Sequence, residues 1–248
     1  MKNHRFTDLP GEEEISSENQ VRIPEDSDRV FMGRIYNWMA GGLVISGLTA
    51  WKFSAMMLDP ASIFNRTPWL FLVLLILEII LVGVLSALIQ KISPLLAALL
   101  FCLFAVLNGM SLAPLFLFYT SASIASAFFA SAGMFFVTSL FGYMTKINLG
   151  RAGAFCVMGI FGLIIATLIN LFLNNSLMET IICYVGIILF LGLTAWDTQR
   201  LRLMMENLVS DGVSEEDTKK YAIIGALALY LDFINIFLFL LRLTGKRD

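Results

Sequence analysis

Between Lys91 and Lys146 the chain carries no charged residue at all. A helix needs roughly 20 predominantly apolar residues to cross the hydrocarbon core of a bilayer, so this one run holds two spans, separated near 119–123. Composition agrees, with 58% hydrophobic and 15% charged residues and a mean hydropathy of +0.81, well beyond an ordinary soluble domain. Seven apolar segments follow one another, at 36–56, 69–89, 94–118, 122–144, 152–173, 180–201 and 221–241. The expectation is an all-α membrane protein, a seven-transmembrane-helix bundle over 31–243, flanked by a polar tail at 1–30 and a basic one at 244–248.

The first 30 residues are acidic, with eight Asp or Glu against four Lys or Arg, and hold no apolar core of signal-peptide length. Such a composition reads as a disordered tail. Lys and Arg concentrate on the cytoplasmic side of membrane proteins. With the N-terminus inside, twelve of the 17 basic residues fall there and five outside, the outer ones confined to the first loop and the C-terminus. A last segment that dips in and returns would bring the basic C-terminus inside as well. Net charge is only −2, which points to no nucleic acid. Cys102, Cys156 and Cys183 are scattered over three segments and read as small buried hydrophobes, and the single histidine, His4, lies in the tail. Neither supports a zinc site.

Small residues at every fourth position let helix backbones approach where water drives no association. Ala122, Ser126 and Ala130, the parallel set Ser123, Ala127 and Ser131, and Gly162 with Ala166 have this spacing. Asn108 and Asn170 read as interhelical hydrogen-bonding groups. The identity of residues 47–51 and 192–196, both Gly-Leu-Thr-Ala-Trp, ends the first and sixth segments and fits a weak inverted repeat.

The carboxylates carry the functional argument. Asp232 sits in the middle of the last segment and Glu78 is the only charge between Thr67 and Gln90. Ionisable groups at mid-membrane depth are expensive, and by default they mark function. Asp197 ends the apolar part of the sixth segment, with Arg200 three residues on as a local partner. Its alternative partner is Asp232, because consecutive helices are usually neighbours. A helix continued through Leu201, Leu203, Met204 and Met205 would carry Asp197 deep enough to meet it. Two aspartates together in a low-dielectric interior do not both ionise cheaply, so they share one proton. Losing that proton leaves two negative charges in contact, which favours helix separation or entry of a cation. Calcium is a hard cation that prefers carboxylate oxygens, and Asp197, Asp232 and Glu78 would suit it as transient ligands. Asn235, three residues from Asp232, is placed to orient that carboxylate.

Residues 195–199 (Ala-Trp-Asp-Thr-Gln) and 229–237 (Leu-Tyr-Leu-Asp-Phe-Ile-Asn-Ile-Phe) resemble the closing signature of the Bax inhibitor family of membrane proteins, in a bacterial form. Residues 108–112 with Pro114, and 141–146 with Leu149, resemble that family's third and fourth helices. The resemblance covers about 30–243 and implies a seven-helix bundle with the last helix central, acting as a pH-sensitive calcium leak. It assigns the pH sensor to Asp197 and Asp232 and the ion path to Glu78. An arginine that latches the aspartate pair late in the second helix has no counterpart. Gln90 and Lys91 stand there, which leaves Lys91 as the candidate latch. The connection 202–220 is also longer.

No lysine lies within the last span for a retinal Schiff base, no histidine is available to activate an intramembrane serine, and no Gly-x-Gly-Asp precedes Asp232 as in two-aspartate intramembrane proteases. The chain therefore reads as a non-enzyme without a cofactor, calcium being the permeating ion. The alternative is a non-conducting regulator that engages a membrane-anchored ATP-dependent protease through the N-terminal tail.

Overall fold

Caps and breakers set the helix boundaries. A computed structural model describes residues 27–59, 67, 69–210 and 212–246. Most of the acidic tail, and the last two residues of the basic one, lie outside the described residues. The helices are α1 (Ser27–Met57), α2 (Trp69–Leu88), α3 (Pro94–Leu112), α4 (Leu115–Phe118), α5 (Ser121–Met144), α6 (Gly150–Leu173), α7 (Ser176–Ser210) and α8 (Glu215–Thr244). Ser93 caps α3 by accepting from the Leu96 amide at 3.3 Å, and Pro94 fills the first turn, where a missing N–H costs nothing. Asn174, left-handed at φ 49°, stops α6. Ser214 caps α8 by accepting from the Asp217 amide at 3.1 Å, and three acidic residues in the first turn favour the positive end of the helix dipole.

The polar stretch 202–220, expected as a loop, is helical at both ends. α7 continues to Ser210 and α8 starts at Glu215, leaving only 211–214 as connection. α8 then runs unbroken to Thr244, so the last segment does not dip in and return.

Six helices among the described residues are long and apolar enough to cross a membrane: α2, α3 together with α4, and α5 to α8. The chain is an integral, multi-pass membrane protein. Seven spans were expected, and α1 makes the difference. It is 31 residues long, but Gly41, Gly42, Ser46, Gly47, Thr49 and Lys52 dilute its apolar character. It packs nonetheless against α3 and α8.

α8 packs against α1, α3, α5 and α7. In its most apolar stretch 61% of residues are buried, against 11% in α6, which packs on α7 and turns Phe155, Phe161 and Phe172 outward. Of the two small-residue stripes on α5, Ala127 and Ser131 face inward, whereas Ala122, Ser126 and Ala130 are exposed. Gly162 also has open space beside it. The α6–α7 seam runs instead through Gly153, where any Cβ would strike the Trp196 ring. The repeated pentapeptide has unlike surroundings: Leu48 and Trp51 are exposed, Leu193 and Trp196 half-buried. Asn170 lies in the last turn of α6, where its Oδ1 accepts from the Asn175 amide (3.1 Å), so it makes a local turn rather than an interhelical tie. All three cysteines are free thiols.

Candidate functional site

Consecutive residues of a helix point about 100° apart, and on α8 this spacing sends Tyr230, Asp232 and Phe233 towards different neighbours. Tyr230 packs edge-to-face on Phe101 and Phe104 of α3, with ring centroids at 6.1 and 5.6 Å. Phe233 packs on Phe128 and Phe135 of α5 at 5.4 and 5.8 Å. Asp232 turns to α7, where Asp197 lies within electrostatic reach and the Thr194 side chain lies beside it.

The depths match because α7 continues past the apolar segment. At roughly 1.5 Å per residue, Asp197 lies about 20 Å back from the end of α7 and Asp232 about 26 Å in from the start of α8. Gly142 of α5 sets how α7 presents this face, since a Cβ there would collide with the Ala195 carbonyl. Asp232 is 2% exposed and its Oδ2 has no hydrogen-bond partner among the described residues. Thr194 Oγ1 spends its hydrogen on the Phe190 carbonyl at 2.8 Å. It is therefore an acceptor towards Asp232. A protonated carboxyl can donate to it, whereas ionisation leaves Asp232 Oδ2 without a hydrogen-bond donor among the described residues. Burying a polar group without a partner costs about 2–7 kcal/mol, a cost the fold carries at this point.

Beside the pair runs a chain of hydroxyls. Thr198, fully buried one turn beyond Thr194, is 2.9 Å from Ser139 Oγ of α5, which is 2.6 Å from Tyr36 Oη of α1. Gln199 clamps the α5–α6 turn: its Nε2 donates to the Ile147 carbonyl (2.8 Å) and its Oε1 accepts from the Leu149 amide (2.9 Å). Arg202 donates to the Tyr143 carbonyl at 2.6 Å.

Glu78, 8% exposed, belongs to a separate network. Asn108 Nδ2 donates to its Oε2 at 3.1 Å and Ser111 Oγ donates to its Oε1. Tyr230 Oη donates to Asn108 Oδ1 (2.7 Å) and is 2.6 Å from Ser46 Oγ. Four helices, α1, α2, α3 and α8, are thereby tied to one carboxylate. Because Tyr230 and Asp232 point about 200° apart on α8, Glu78 and the aspartate pair occupy opposite sides of that helix. A single centre holding all three is not assembled.

Three further expected residues take other roles. Asn235 Nδ2 donates to the Leu231 carbonyl of its own helix (2.8 Å) and makes no hydrogen bond to Asp232. Lys91 is exposed in the α2–α3 turn, and among the described residues no ion pair joins it to either aspartate. Arg200 is exposed and lies 5.3 Å above the Trp196 ring; it makes no ion pair with Asp197 within 4 Å but acts on it electrostatically from farther off. The described residues contain no group of three or more His, Cys, Asp or Glu suited to a metal. Calcium takes 6–8 oxygens, so Asp197 and Asp232 suit a passing ion better than a resident one. Sequence reasoning missed Ser46, Ser111, Tyr230 and the Thr194–Thr198 pair. The spacing of the two threonines, one turn apart on an apolar helix, was the available signal.

The family described as inhibitor of apoptosis-promoting Bax1 matches residues 28–248. The chain belongs to the Bax inhibitor family. Inner membrane protein YbhL of Escherichia coli (strain K12) is 41% identical over 224 residues, covering 90% of this chain and 94% of its own. An uncharacterized protein of Deinococcus radiodurans is 40% identical over 241 residues, covering 94% and 100%. An uncharacterized membrane protein of Streptococcus pyogenes is 33% identical over 227 residues, covering 88% and 93%. Asp197, Asp232, Glu78 and the hydroxyl chain all lie inside the stretch that matches the family.

Proposed function

We propose that this family member is a pH-sensitive leak for calcium or a similar cation in the bacterial inner membrane, gated by protonation of Asp197 and Asp232. In this reading α1 is the seventh span, the N-terminus is cytoplasmic and α8 is the central helix around which the others move. The observation that carries it is Asp232, buried, with Oδ2 lacking a hydrogen-bond partner among the described residues and with a second aspartate within electrostatic reach on α7. A proton shared by the pair keeps α7 and α8 together. Its loss sets two negative charges against each other, parts the helices and admits a cation, so the leak rises as pH rises. Glu78 acts on the far side of α8 as a second oxygen-rich point on the ion path. Calcium is the transported ion and no enzymatic step is involved.

Purified protein in liposomes loaded with a calcium-sensitive dye tests the proposal. A leak that increases between about pH 5 and pH 8 and loses that dependence in Asp232→Asn supports it. A silent wild type across the range would sink it and favour the non-conducting regulator of a membrane-anchored protease, which deletion of 1–26 would then disable.

A further inference from the structure

The α7–α8 seam that holds the aspartate pair is antiparallel and keeps one register along its length. Gly225, Asp232 and Phe239 of α8 are spaced by seven residues, a spacing that returns to nearly the same face of a helix. Each meets α7 at its own level: Gly225 against Leu201, Asp232 beside Thr194, and Phe239 against Gly186. At the two outer levels a large side chain sits where the other helix has only glycine. A Cβ at Gly186 would lie 2.7 Å from the Phe239 ring, and one at Gly225 would lie 2.8 Å from Leu201 Cδ2 and 3.0 Å from Ile35 Cδ1 of α1.

These contacts close the seam on either side of its polar level. Phe190 lies beside Phe239 with ring centroids 6.0 Å apart, and Leu201 and Ile35 are buried. Both closures consist of apolar side chains and glycine alone. Between them, roughly 10 Å from each along α8, is the Asp232 Oδ2 that has no hydrogen-bond partner among the described residues. A hydrophobic constriction shuts a path by excluding water, and a cation that sheds its water there finds no oxygen to replace it. At Asp232 it does.

We propose that Phe239 on Gly186 and Leu201 on Gly225 are the two apolar closures of the cation path, with Asp232 the polar station between them. The inference rests on the leak reading and adds to it the residues that hold the path shut. Parting of α7 from α8 lifts both large side chains off their glycine seats, so one movement of the seam opens both ends of the station.

Silver ions, small cations that react with thiols, test this in membrane vesicles of both orientations. The full chain carries Thr194→Cys, with Cys102, Cys156 and Cys183 changed to Ala, and the reacted fraction is read by intact mass after alkylation of the remaining thiols in denaturant. At acidic pH the added thiol should be protected from either side. Phe239→Ala should speed its reaction at least about tenfold from the side on which α8 ends, and Leu201→Ala by the same factor from the opposite side only. Phe239→Val and Leu201→Val serve where an Ala variant fails to fold, with melting measured for all. In liposomes loaded with a calcium-sensitive dye, Phe239→Ala combined with Leu201→Ala should leak at acidic pH, where wild type is tight. A thiol open from both sides before truncation, unchanged by truncation in folded protein, or exposed by each truncation from the wrong side overturns the proposal. A wild type that never leaks sinks the leak reading alone, and the silver reaction still decides the closures.

Discussion

Glu78 on α2 and Asp232 on α8 are both buried carboxylates in the middle of apolar helices, 8% and 2% exposed. Both Glu78 oxygens accept side-chain hydrogen bonds, from Asn108 and Ser111, and the network extends through Tyr230 to Ser46. Asp232 has an oxygen without a hydrogen-bond partner among the described residues, a second aspartate within electrostatic reach and a threonine whose hydrogen is committed elsewhere. The same residue class at comparable depth thus does opposite things. A satisfied carboxylate fastens four helices, whereas an unsatisfied one stores a cost that a proton or a cation can relieve. Polar groups in membranes hold helices together only as far as their partners are complete.

The comparison breaks first at Asp232→Asn. This change should flatten the pH dependence of calcium leak, removing a difference of about tenfold or more between acidic and alkaline vesicles; an unchanged pH profile would detach the pair from gating. Next comes Glu78→Leu, which strands the Asn108 amide and the Ser111 hydroxyl. Thermal unfolding in detergent should show a loss of about 2–5 kcal/mol, and a variant as stable as wild type would mean the network holds nothing. Tyr230→Phe keeps the ring contacts with Phe101 and Phe104 and removes one hydroxyl, so its cost should be about 1 kcal/mol in the same measurement. Asp232→Leu sharpens the contrast from the other side. Replacing an unpaired buried carboxyl by an apolar group should leave stability unchanged or raise it by about 1 kcal/mol, and a loss as large as that of Glu78→Leu would erase the distinction. Arg200→Gln should do least. An exposed cation above Trp196 that reaches Asp197 only beyond ion-pair distance should shift stability by no more than about 0.5 kcal/mol and displace the pH profile of the leak only slightly, without flattening it.

Much of the helical architecture was legible because bilayer physics writes it into composition. Six spans match apolar runs closely, since each must satisfy its own backbone and present apolar side chains to lipid. α1 was less legible, because its Gly, Ser and Thr residues make it only moderately apolar while packing against α3 and α8 holds it in place. The continuation of α7 and α8 into 202–220 was foreshadowed by the apolar residues 201, 203, 204 and 205, although its full extent was not. At the site, rarity was the signal: a carboxylate in an apolar run stands out, and Asp197, Asp232 and Glu78 all announced themselves. Asn235 and Lys91 were placed by spacing and position alone, and neither touches the pair.

The sequence by itself determined which segments are helices, that they enter a membrane and which acidic groups are buried there, because each of these follows from the local ratio of apolar to charged residues. Tertiary structure alone decided which acid is satisfied, since hydrogen bonds between α1, α2, α3 and α8 depend on how each helix is rotated about its axis. That rotation is set by contacts distant in sequence, Gly142 against Ala195 and Gly153 against Trp196 among them, and no local pattern encodes it.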